Sequence, residues 1–423
     1  MSTSAWILTV GFAGMVVLGV PFVFAIGLAV TAVIVVADIP LMLLPQTMVA
    51  GTQSFSLLGI PFFMLAGELM SAGGLSRRLI AVADVCVRHL LGGLGHVTIV
   101  AACIFAAISG SAPATTAAIG STMIPAMAER GYAKSYATSL TVSAGVLAPL
   151  IPPSIAFIIW GVIAEQSISK LFLAGIIPGL LMALGLSALV AWRAHGDKIP
   201  RLPRASAAEV RSALRKGVWA LLAPVIVLGG IYGGIFTPTE AAAVVCLYSL
   251  VVGLFIEKRL RFAQLPTVFL KAMTISAIVM GIVAVSGGMG VLVAQEQFAT
   301  RLATFLNASI HQQWIMLMIL NLGFFLLAAV MDEIALMLIF GPMLIAIGHQ
   351  FGIDPIHFGA MIVTNVAIGM AAPPIGYCLF VGAAISGERL INIARAIWPQ
   401  IVMMVLVLIL VTYVPAFSLY FVR

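Results

Sequence analysis

Charge is scarce in this chain. Of its 423 residues only 8% are Asp, Glu, Lys or Arg, whereas 62% are hydrophobic. A soluble domain carries about 25% charged residues, because its surface must face water. The composition and a mean hydropathy of +1.20 therefore exclude a soluble enzyme and a soluble nucleic-acid-binding protein. They indicate a polytopic membrane protein whose net charge of +7 reflects basic cytoplasmic loops.

The motifs of several enzyme classes are also missing. The six histidines form no HExxH and no metal-site pair, and the chain has no Walker A sequence and no GxSxG. We therefore expect neither an enzyme nor an ATP-driven pump, and no cofactor. An intramembrane hydrolase using Ser111 or Asp332 is disfavoured as well, because a GxGD pair and a rhomboid-like serine motif are lacking.

Cysteine is rare, and its placement is uninformative about chemistry. Cys86, Cys103, Cys246 and Cys378 lie far apart and form no CxxC, so we interpret them as reduced packing residues. The N-terminal stretch up to about Val20 lacks the basic region of a signal peptide, which favours a first membrane helix over a cleaved leader.

Apolar segments fill most of the chain, and about 20 residues are needed to span a bilayer. Two segments, 96–126 and 310–348, are too long for one crossing and carry polar residues near the middle. We predict that both enter and leave on one side, as re-entrant hairpins. The ten predicted crossings are 5–20, 22–37, 54–72, 138–164, 171–192, 217–235, 239–256, 265–294, 356–383 and 397–421.

The basic residues support this arrangement. With both hairpins re-entrant, 18 of the 21 Lys and Arg residues fall on one side, and only Lys170, Arg301 and Arg423 fall on the other. The positive-inside rule makes the first side cytoplasmic, so both termini are predicted to be periplasmic.

The chain resembles itself at a shift of about 220 residues. Each half then holds about five crossings and one hairpin, and an odd number of crossings predicts two inverted-topology repeats. The first repeat covers 1–192 and the second 217–423. They are joined by a basic cytoplasmic linker, 193–216, which is expected to be a helix with breaks at Pro200 and Pro203. The matched landmarks are Pro21 with Pro238, Arg77 with Arg301, Ser109 with Met331, Pro125 with Pro342, Gly145 with Gly369, and Pro152-Pro153 with Pro373-Pro374.

Hydroxyl residues and glycine cluster where the first hairpin must turn, from Ser109 to Thr116. Irregular backbone at membrane depth is tolerated where it lines a cavity or is buried in protein. The second arm would begin there with a Ser or Thr cap and exposed N–H groups, which is an anion site without a formal charge. Close helix packing by small residues is the alternative.

Two apolar segments are interrupted by proline pairs. The stretch 143–154 contains Pro149, Pro152 and Pro153, and 365–374 is its repeat partner. Breaks of this kind free carbonyls that can bind Na⁺ and point half-helix N-termini at a ligand. A simple proline kink is the alternative for the first stretch.

Two carboxylates lie at the predicted turn of the second hairpin. An acidic residue at membrane depth is by default a candidate functional residue. Asp332 could ligate a cation, carry a proton or cap the following helix. For Glu333 the simplest expectation is contact with water. Glu68 lies inside another apolar segment and could pair with a basic residue or with a partner subunit. Thr237 is expected to cap a helix, with Glu240 in its first turn.

Several of these motifs together resemble the large membrane subunit of tripartite ATP-independent periplasmic (TRAP) transporters. The resemblance covers nearly the whole chain. It rests on Pro61-Phe62-Phe63, Ser109-Gly110-Ser111, Ile124-Pro125-Ala126-Met127, Gly131-Tyr132, Leu150-Ile151-Pro152-Pro153-Ser154, Ser167-Ile168, Leu171-Phe172, Ala174-Gly175, Pro178-Gly179 and the run Phe236-Thr237-Pro238-Thr239-Glu240-Ala241-Ala242-Ala243.

The resemblance implies Na⁺-coupled import of an organic acid across the bacterial inner membrane. It implies a scaffold formed by the early helices of each half, 5–72 and 217–294. The two hairpins and the broken helices 138–164 and 356–383 would form a transport domain with an elevator-type motion. A periplasmic substrate-binding protein, a small four-helix membrane subunit and membrane lipid are the implied partners, and nucleic acid is not. The alternative is a stand-alone ion-coupled anion transporter or exchanger of the same architecture.

Carried over by position, the family's sites fall on the hairpin tips and broken helices. The sequence departs from the family pattern at Ala112 and Ala372, where hydroxyl residues are usual, and at Glu333, an unusual acid that suggests a changed ion or substrate charge. The expected sodium-binding residues are Ser109, Ser111, Ser143, Gly145, Pro149, Asn365, Gly369 and Ala372. The expected substrate-binding residues are Gly110, Thr115, Pro153, Ser154, Asp332 and Pro374.

Overall fold

A computed structural model describes residues 3–196, 202–295 and 312–422. Throughout these ranges the regular structure is helical and no strand is present, which confirms the all-α prediction. Five positions used in the sequence predictions, Lys198, Pro200, Arg201, Arg301 and Arg423, lie outside the described residues, as do the first two residues of the second predicted hairpin.

The first half contains the helices that precede the basic linker. A π-helical segment, Ile7–Gly11, separates the first two, and a 3₁₀ turn, Phe55–Leu58, leads into the fifth. The helices are α1 Thr3–Trp6, α2 Phe12–Val17, α3 Phe22–Val36, α4 Leu43–Thr52, α5 Gly59–Ala72, α6 Leu75–Val87, α7 Gly93–Ser109, α8 Ala112–Glu129, α9 Lys134–Gly145, α10 Ile155–Ile163 and α11 Ile168–Gly196.

The second half follows the same order of long, paired and interrupted helices. A π-helical segment, Val252–Ile256, extends its second helix, and a 3₁₀ turn, Phe262–Gln264, precedes its third. The helices are α12 Ala207–Tyr232, α13 Pro238–Val251, α14 Leu265–Gln295, α15 Gln313–Ala328, α16 Glu333–Gln350, α17 Pro355–Gly369, α18 Tyr377–Ser386, α19 Leu390–Ala396, α20 Trp398–Tyr413 and α21 Ala416–Leu419.

Helix caps written in the sequence set several of these boundaries. Thr237 and Glu240 form a reciprocal capping box at the start of α13, as predicted. Ser206 and Glu209 form another at the start of α12, which continues without a break from the linker into the next apolar segment. The predicted boundary between linker and crossing at 216 is therefore not a helix end, because the cap lies ten residues earlier.

Helices α7 and α8 form the first hairpin, which runs from 93 to 129 and extends three residues beyond each end of the predicted segment 96–126. At the closed end the hydroxyls of Ser109 and Thr115 lie 2.8 Å apart. At the open end the Thr98 hydroxyl donates to Met127 Sδ over 3.5 Å. These two contacts, 11 residues apart on one arm and 12 on the other, require the arms to run antiparallel.

Helices α15 and α16 form the second hairpin. Its open end is held by Gln313 Nε2, which donates to the Phe351 carbonyl over 3.4 Å. Halfway along, the rings of Phe324 and Phe340 meet edge to face with centroids 6.3 Å apart. Both predicted hairpins are thus present as antiparallel helix pairs, and their re-entry on one side of the bilayer stays a prediction.

The two halves interlock through matching pairs of helices. Helix α18 of the second half packs on α8 and α9, where a Cβ on Gly382 would lie 3.0 Å from Thr138 Cγ2. Helix α10 of the first half packs on α16, where a Cβ on Gly341 would lie 3.1 Å from Ile163 Cγ2. Away from the hairpins, α5 packs on α13 and α3 packs on α14.

Corresponding breaks in the two halves also recur at a nearly constant distance along the chain. The residues that precede the second hairpin arms, Ser111 and Asp332, are 221 positions apart. The broken helices resume at Ile155 and Tyr377, 222 positions apart.

Fewer single helices could span a bilayer than the ten predicted crossings. Among the described residues six helices are long and apolar enough, or seven if Tyr377–Ser386 and Leu390–Ala396, which meet at 117°, count as one span. One of the six, Glu333–Gln350, is a hairpin arm. The number is lower because proline pairs divide two predicted crossings into shorter helices, and because α3 and α20 have only 15 and 16 residues.

Candidate functional site

The first hairpin tip is built around Gly110. It adopts φ +58°, a left-handed conformation that glycine enters without strain. A Cβ there would lie 2.6 Å from the Pro153 carbonyl oxygen, so the tip is pressed against the break between α9 and α10. The Ile155 N–H donates to the Gly110 carbonyl over 3.3 Å and ties the two segments together.

Helix α8 begins at this tip with its N-terminal groups uncapped by a side chain. Ser111 precedes the helix in an extended conformation, but its hydroxyl makes no capping bond. Pro113 has no N–H, so the first-turn donors are those of Ala112 and Ala114. Ser111 is 8% exposed, and its position leaves a hydroxyl and a helix N-terminus available to a ligand.

The break between α9 and α10 is buried except for Ile151, which is partly exposed. Ser154 caps α10 by accepting from the Phe157 N–H over 3.2 Å, and its hydroxyl donates to the Pro149 carbonyl over 2.6 Å. The hydroxyl of Ser143 makes no hydrogen bond within the described chain, and that of Thr116 makes none to nitrogen or oxygen. A Cβ on Gly145 would overlap Thr116, so the break packs directly on α8.

The second hairpin tip has a different chemistry. Asp332 precedes α16, and its Oδ1 accepts from the N–H groups of Ile334 and Ala335 at 3.0 and 3.4 Å. Of the three predicted roles, the cap is the one the geometry shows. Glu333 is 4% exposed, so the expectation that it faces bulk water is wrong, because the first turn of α16 is enclosed by neighbouring helices.

The break between α17 and α18 contacts the second tip as its counterpart contacts the first. The N–H groups of Ile375 and Gly376 both donate to the Ala329 carbonyl, at 3.3 and 3.0 Å. A Cβ on Gly369 would overlap Ala328 at the end of α15. Unlike the first break, this one exposes Pro374 at the surface.

A chain of side-chain hydrogen bonds links α17 to α15 and α20. Asn365 Nδ2 donates to the carbonyl and to the side-chain oxygen of Asn321 at 2.8 and 2.9 Å, and Asn321 Nδ2 donates to Thr412 Oγ1 at 2.9 Å. Asn365 Oδ1 is buried and accepts no bond from the described part of the chain. Ala372, seven positions after Asn365, is also buried. Its side chain has no polar atom, so only its backbone could bind an ion.

Both tips line one cavity of about 480 Å³, and helices α3, α5 and α14 complete its wall. The first tip contributes Ser109 and Ser111, and the second contributes Asp332 and Glu333. Most of the remaining lining is apolar, as is usual for small-molecule sites with a few placed polar groups.

An ion pair between α5 and α14 borders the same cavity. Lys271 Nζ of α14 lies 2.8 Å from Glu68 Oε2 of α5. The Lys271 side chain is 62% exposed and that of Glu68 is 17% exposed, so the pair lies where the cavity reaches the surface. Of the two partners considered for Glu68, the structure shows the basic residue.

The predicted site residues divide into three groups. Ser109, Ser111 and Asp332 line the cavity. Ser143 and Gly145 lie in the last turn of α9 and Pro149 in the break that follows it, whereas Asn365 and Gly369 lie near the end of α17 and Ala372 in the second break. The expected sodium ligands outside the cavity therefore form two groups, one at each break. The expected substrate residues that do not line the cavity are Gly110, Thr115, Pro153, Ser154 and Pro374.

Four of these five residues hold the first tip and break together, and the fifth, Pro374, is exposed at the surface. Gly110 and Pro153 form the contact between tip and break, Thr115 is bonded to Ser109, and Ser154 is occupied by its cap. The hydroxyls of Thr115 and Ser154 are already hydrogen-bonded within the tip and break. A sequence motif does not reveal which hydroxyls are bonded in this way.

Sequence reasoning missed Lys271 and Tyr377 as cavity residues. Lys271 is one of the 18 basic residues assigned to the cytoplasmic side, although it lies inside the apolar segment 265–294. Glu68 has the opposite charge and lies inside another apolar segment, and this was the signal for their pairing. Tyr377 begins α18 beside the second break, and nothing in its local sequence distinguishes it from a lipid-facing aromatic residue.

The sequence profile of one family matches residues 9–417, nearly the whole chain. This family is described as the tripartite ATP-independent periplasmic transporter, DctM component. The chain belongs to the DctM family. It is therefore the large permease component of a TRAP transporter, a membrane transport protein, and the family assigned from the motifs is confirmed.

Named relatives agree with the family. The chain is 39% identical to the isethionate TRAP transporter permease protein DctMQ of Oleidesulfovibrio alaskensis, over 97% of this chain and 65% of that relative's length. It is 40% identical to the C4-dicarboxylate TRAP transporter large permease protein DctM of Pseudomonas aeruginosa, over 87% and 86%. It is 34% identical to the sialic acid TRAP transporter large permease protein SiaM of Vibrio cholerae, over 97% and 96%.

The DctM fold has a counterpart among solved structures. The chain matches Neisseria gonorrhoeae MtrF, a member of a class of antimetabolite efflux pumps, with a TM-score of 0.55. The match covers 92% of this chain and 85% of that one at 13% identity, which is a likeness of fold alone.

Proposed function

We propose that this DctM protein imports an organic acid across the bacterial inner membrane, driven by Na⁺ and supplied by a periplasmic binding protein. The observation that carries the proposal is the cavity between the two hairpin tips, where the uncapped N-terminus of α8 meets the Ser111 hydroxyl, which makes no capping bond. Three relatives named for isethionate, C4-dicarboxylates and sialic acid share one property of their substrates, a negative charge.

The first tip supplies the binding site for the carboxylate or sulfonate group. Helix N-termini carry a partial positive charge and unpaired N–H groups, so they bind anions without a basic side chain. Ser111 adds a hydroxyl donor from the N-cap position. The second tip cannot serve in the same way, because Asp332 already occupies its first-turn N–H groups.

The two breaks supply the proposed Na⁺ sites. Hard cations take oxygen ligands, and broken helices offer them as hydroxyls and carbonyls. The first cluster contains the unpaired hydroxyls of Ser143 and Thr116, and the second contains the unpaired Asn365 Oδ1. These buried oxygens suit a Na⁺ ion, which would travel with the substrate as the second cargo.

The scaffold and elevator arrangement is part of this proposal. Matching tip and break positions 221 and 222 residues apart support an inverted repeat. The paired contacts of α8 with α18 and of α10 with α16 support one transport unit made from both halves. The cavity lies between that unit and α3, α5 and α14, which is where a sliding interface would lie.

The proposed orientation of the cavity rests on the basic residues near its surface end. Glu68 lies one turn before the end of α5, ahead of Arg77 and Arg78 in the chain, and Lys271 lies about two turns after the start of α14, which follows Arg259 and Arg261. The positive-inside rule favours a cytoplasmic location for these basic residues, which supports a cavity that opens toward the cytoplasm.

A small four-helix subunit is proposed to accompany the chain. The relative from Oleidesulfovibrio alaskensis is longer than the matched region, since 35% of its length lies outside the match. A second membrane component within that remainder would account for the difference.

Uptake into proteoliposomes tests the proposal. The chain would be reconstituted with the neighbouring small subunit and binding protein, and assayed with a panel of labelled organic acids, with and without an inward Na⁺ gradient. Uptake that needs both Na⁺ and the binding protein is expected. Uptake by this chain alone would favour the stand-alone transporter, and uptake independent of Na⁺ would contradict the coupling.

A single variant tests the first ion cluster. Ser143→Ala removes an unpaired buried hydroxyl, so the Na⁺ concentration for half-maximal uptake is expected to rise by about tenfold, which corresponds to one lost ligand of about 1.4 kcal/mol. Ser139→Ala is the matched control, because its hydroxyl is bonded to the Tyr136 carbonyl one helical turn away. An unchanged Na⁺ dependence in Ser143→Ala would remove this cluster from the coupling.

A further inference from the structure

Glu333 is a carboxylate in the wall of the cavity. It is the first residue of α16, it is 4% exposed, and it lines the cavity between the two tips. Its Oε2 atom accepts no hydrogen bond from any described residue. A buried charge is costly unless it is paired, so the cavity contains an unmet demand for a positive or donating group.

The other charged residues of the cavity do not meet this demand. Lys271, the basic side chain among its described lining residues, is held by Glu68 at 2.8 Å. Asp332 lies next to Glu333 in the chain and has the same sign of charge. Its own oxygen is satisfied by two backbone N–H groups, which leaves Glu333 as the unmatched group.

The opposite end of the cavity has hydrogen-bond donors but no negative charge to pair with them. At the first tip Ser111 and the N-terminus of α8 offer donors and a partial positive charge, with no acidic residue among the tip's contributions to the lining. A ligand that satisfies both tips therefore has an anionic end for the first tip and a cationic end for the second. A simple dicarboxylate satisfies the first tip and is repelled by Glu333.

We propose that the substrate is a zwitterion, an organic acid that also carries a positively charged nitrogen, and that Glu333 binds this nitrogen. The inference rests on the proposed function, because it refines the substrate class of the same cavity. It assigns Glu333 as a binding residue that selects among organic acids, while the first tip holds the acid group common to all of them.

Matched pairs of probes test the assignment. Taurine and isethionate differ by an ammonium in place of a hydroxyl, and so do aspartate and malate. A third pair is 4-aminobutyrate and 4-hydroxybutyrate. Uptake of all six would be measured in proteoliposomes that contain the complete transporter, for the natural sequence and for Glu333→Gln. We expect uptake of an amino member, with little uptake of its hydroxy partner.

The variant must lose this preference. Removing one partner of a buried charge pair lowers affinity by about 30-fold or more, so Glu333→Gln should raise the KM of the amino member by that factor. Glu333→Asp should retain part of the preference, because the charge remains. Glu129→Gln is the control, since Glu129 is exposed at the far end of the first hairpin.

Three outcomes would overturn the inference. The first is equal uptake of both members of each pair by the natural protein, and the second is an unchanged KM in Glu333→Gln. The third is the absence of uptake for all six probes. If labelled succinate or sialic acid is nevertheless taken up with Na⁺, the proposed function stands and only the zwitterion assignment fails. If no organic acid is taken up, both fail.

Discussion

The two hairpin tips are built alike and differ in charge. Each tip touches the break of a neighbouring helix through backbone hydrogen bonds, from Ile155 to Gly110 in the first half and from Gly376 to Ala329 in the second. Each second arm starts with an extended N-cap residue. In the first tip that residue is Ser111, which is neutral and makes no cap, whereas in the second it is Asp332, which does.

This difference shows how a duplicated frame can bind an asymmetric molecule. A helix N-terminus attracts an anion whether the anion belongs to the ligand or to the protein. The first tip leaves that position to the ligand, and the second fills it with its own carboxylate. The two tips thus share their packing, while the residue that precedes the second arm, Ser111 or Asp332, determines whether the helix N-terminus is open to a ligand.

The strongest test of the comparison converts the first tip into the second. Ser111→Asp places a carboxylate where we propose that the acid group binds. Two like charges about 4 Å apart repel by about 4 kcal/mol at an effective dielectric of 20, so uptake should fall about 100-fold or more. Ser111→Asn is the control of matching size without charge. Normal uptake by Ser111→Asp would locate the acid group elsewhere.

A second test breaks the packing that both tips share. A Cβ at Gly145 or Gly369 overlaps the neighbouring hairpin, and such overpacking costs about 1–3 kcal/mol. Gly369→Ala should destabilise more, because it meets the Ala328 backbone, whereas Gly145→Ala meets the Thr116 side chain, which can rotate.

Thermal unfolding of the purified protein measures both effects. Gly323→Ala lies on the same hairpin as Ala328 with no atom within 4 Å, so it should leave the unfolding temperature unchanged or raise it. Equal unfolding temperatures for all three variants would show that the tips are not held by close packing at these glycines.

A third test removes the charge of the second tip and keeps its cap. Asn caps helices about as well as Asp, so Asp332→Asn should leave membrane insertion intact and change the free energy of unfolding by less than about 0.5 kcal/mol. Uptake should fall about tenfold, because the cavity loses a negative charge beside Glu333.

Asp354→Asn is the matched control for that variant. Asp354 caps α17 through the N–H groups of Ile356 and His357, and it lies outside the cavity lining. It should preserve both stability and uptake. Full uptake by Asp332→Asn would reduce Asp332 to a structural cap.

The sequence alone predicted the parts of this arrangement that depend on local chemistry. The turn at Ser109-Gly110-Ser111 and the breaks at the two proline pairs lie where they were predicted, because glycine and proline restrict the backbone directly. The capping box at Ser206 is equally local, and it begins α12 inside the predicted linker, before the apolar segment.

The composition of the cavity could not be predicted in the same way. Ser154 and Thr115 have the residue types of a binding site, but their oxygens are bonded within the tip and break. Lys271 and Glu68 are 203 positions apart, and only the packing of α5 against α14 brings them together. Which polar atoms remain free depends on tertiary contacts that no local pattern encodes.

The smallest expected effect concerns the ion pair outside the tips. Exposed pairs contribute about 0–1 kcal/mol, because water and salt screen them, and the Lys271 side chain is 62% exposed. Glu68→Gln and Lys271→Gln should each change the free energy of unfolding by less than about 1 kcal/mol. The double variant should show a coupling energy in the same range.

The pair between Arg78 and Glu257 provides the contrast. There the Arg78 guanidinium binds both carboxylate oxygens, and the Glu257 side chain is only 6% exposed. Arg78→Gln leaves a buried carboxylate without its cation, so it should destabilise the protein by about 1–3 kcal/mol. If Lys271→Gln proved as damaging as Arg78→Gln, the pair beside the cavity would be as important to the scaffold as the buried one. Selectivity would then no longer be confined to the two tips, because the shape of the cavity would depend on a charge outside them.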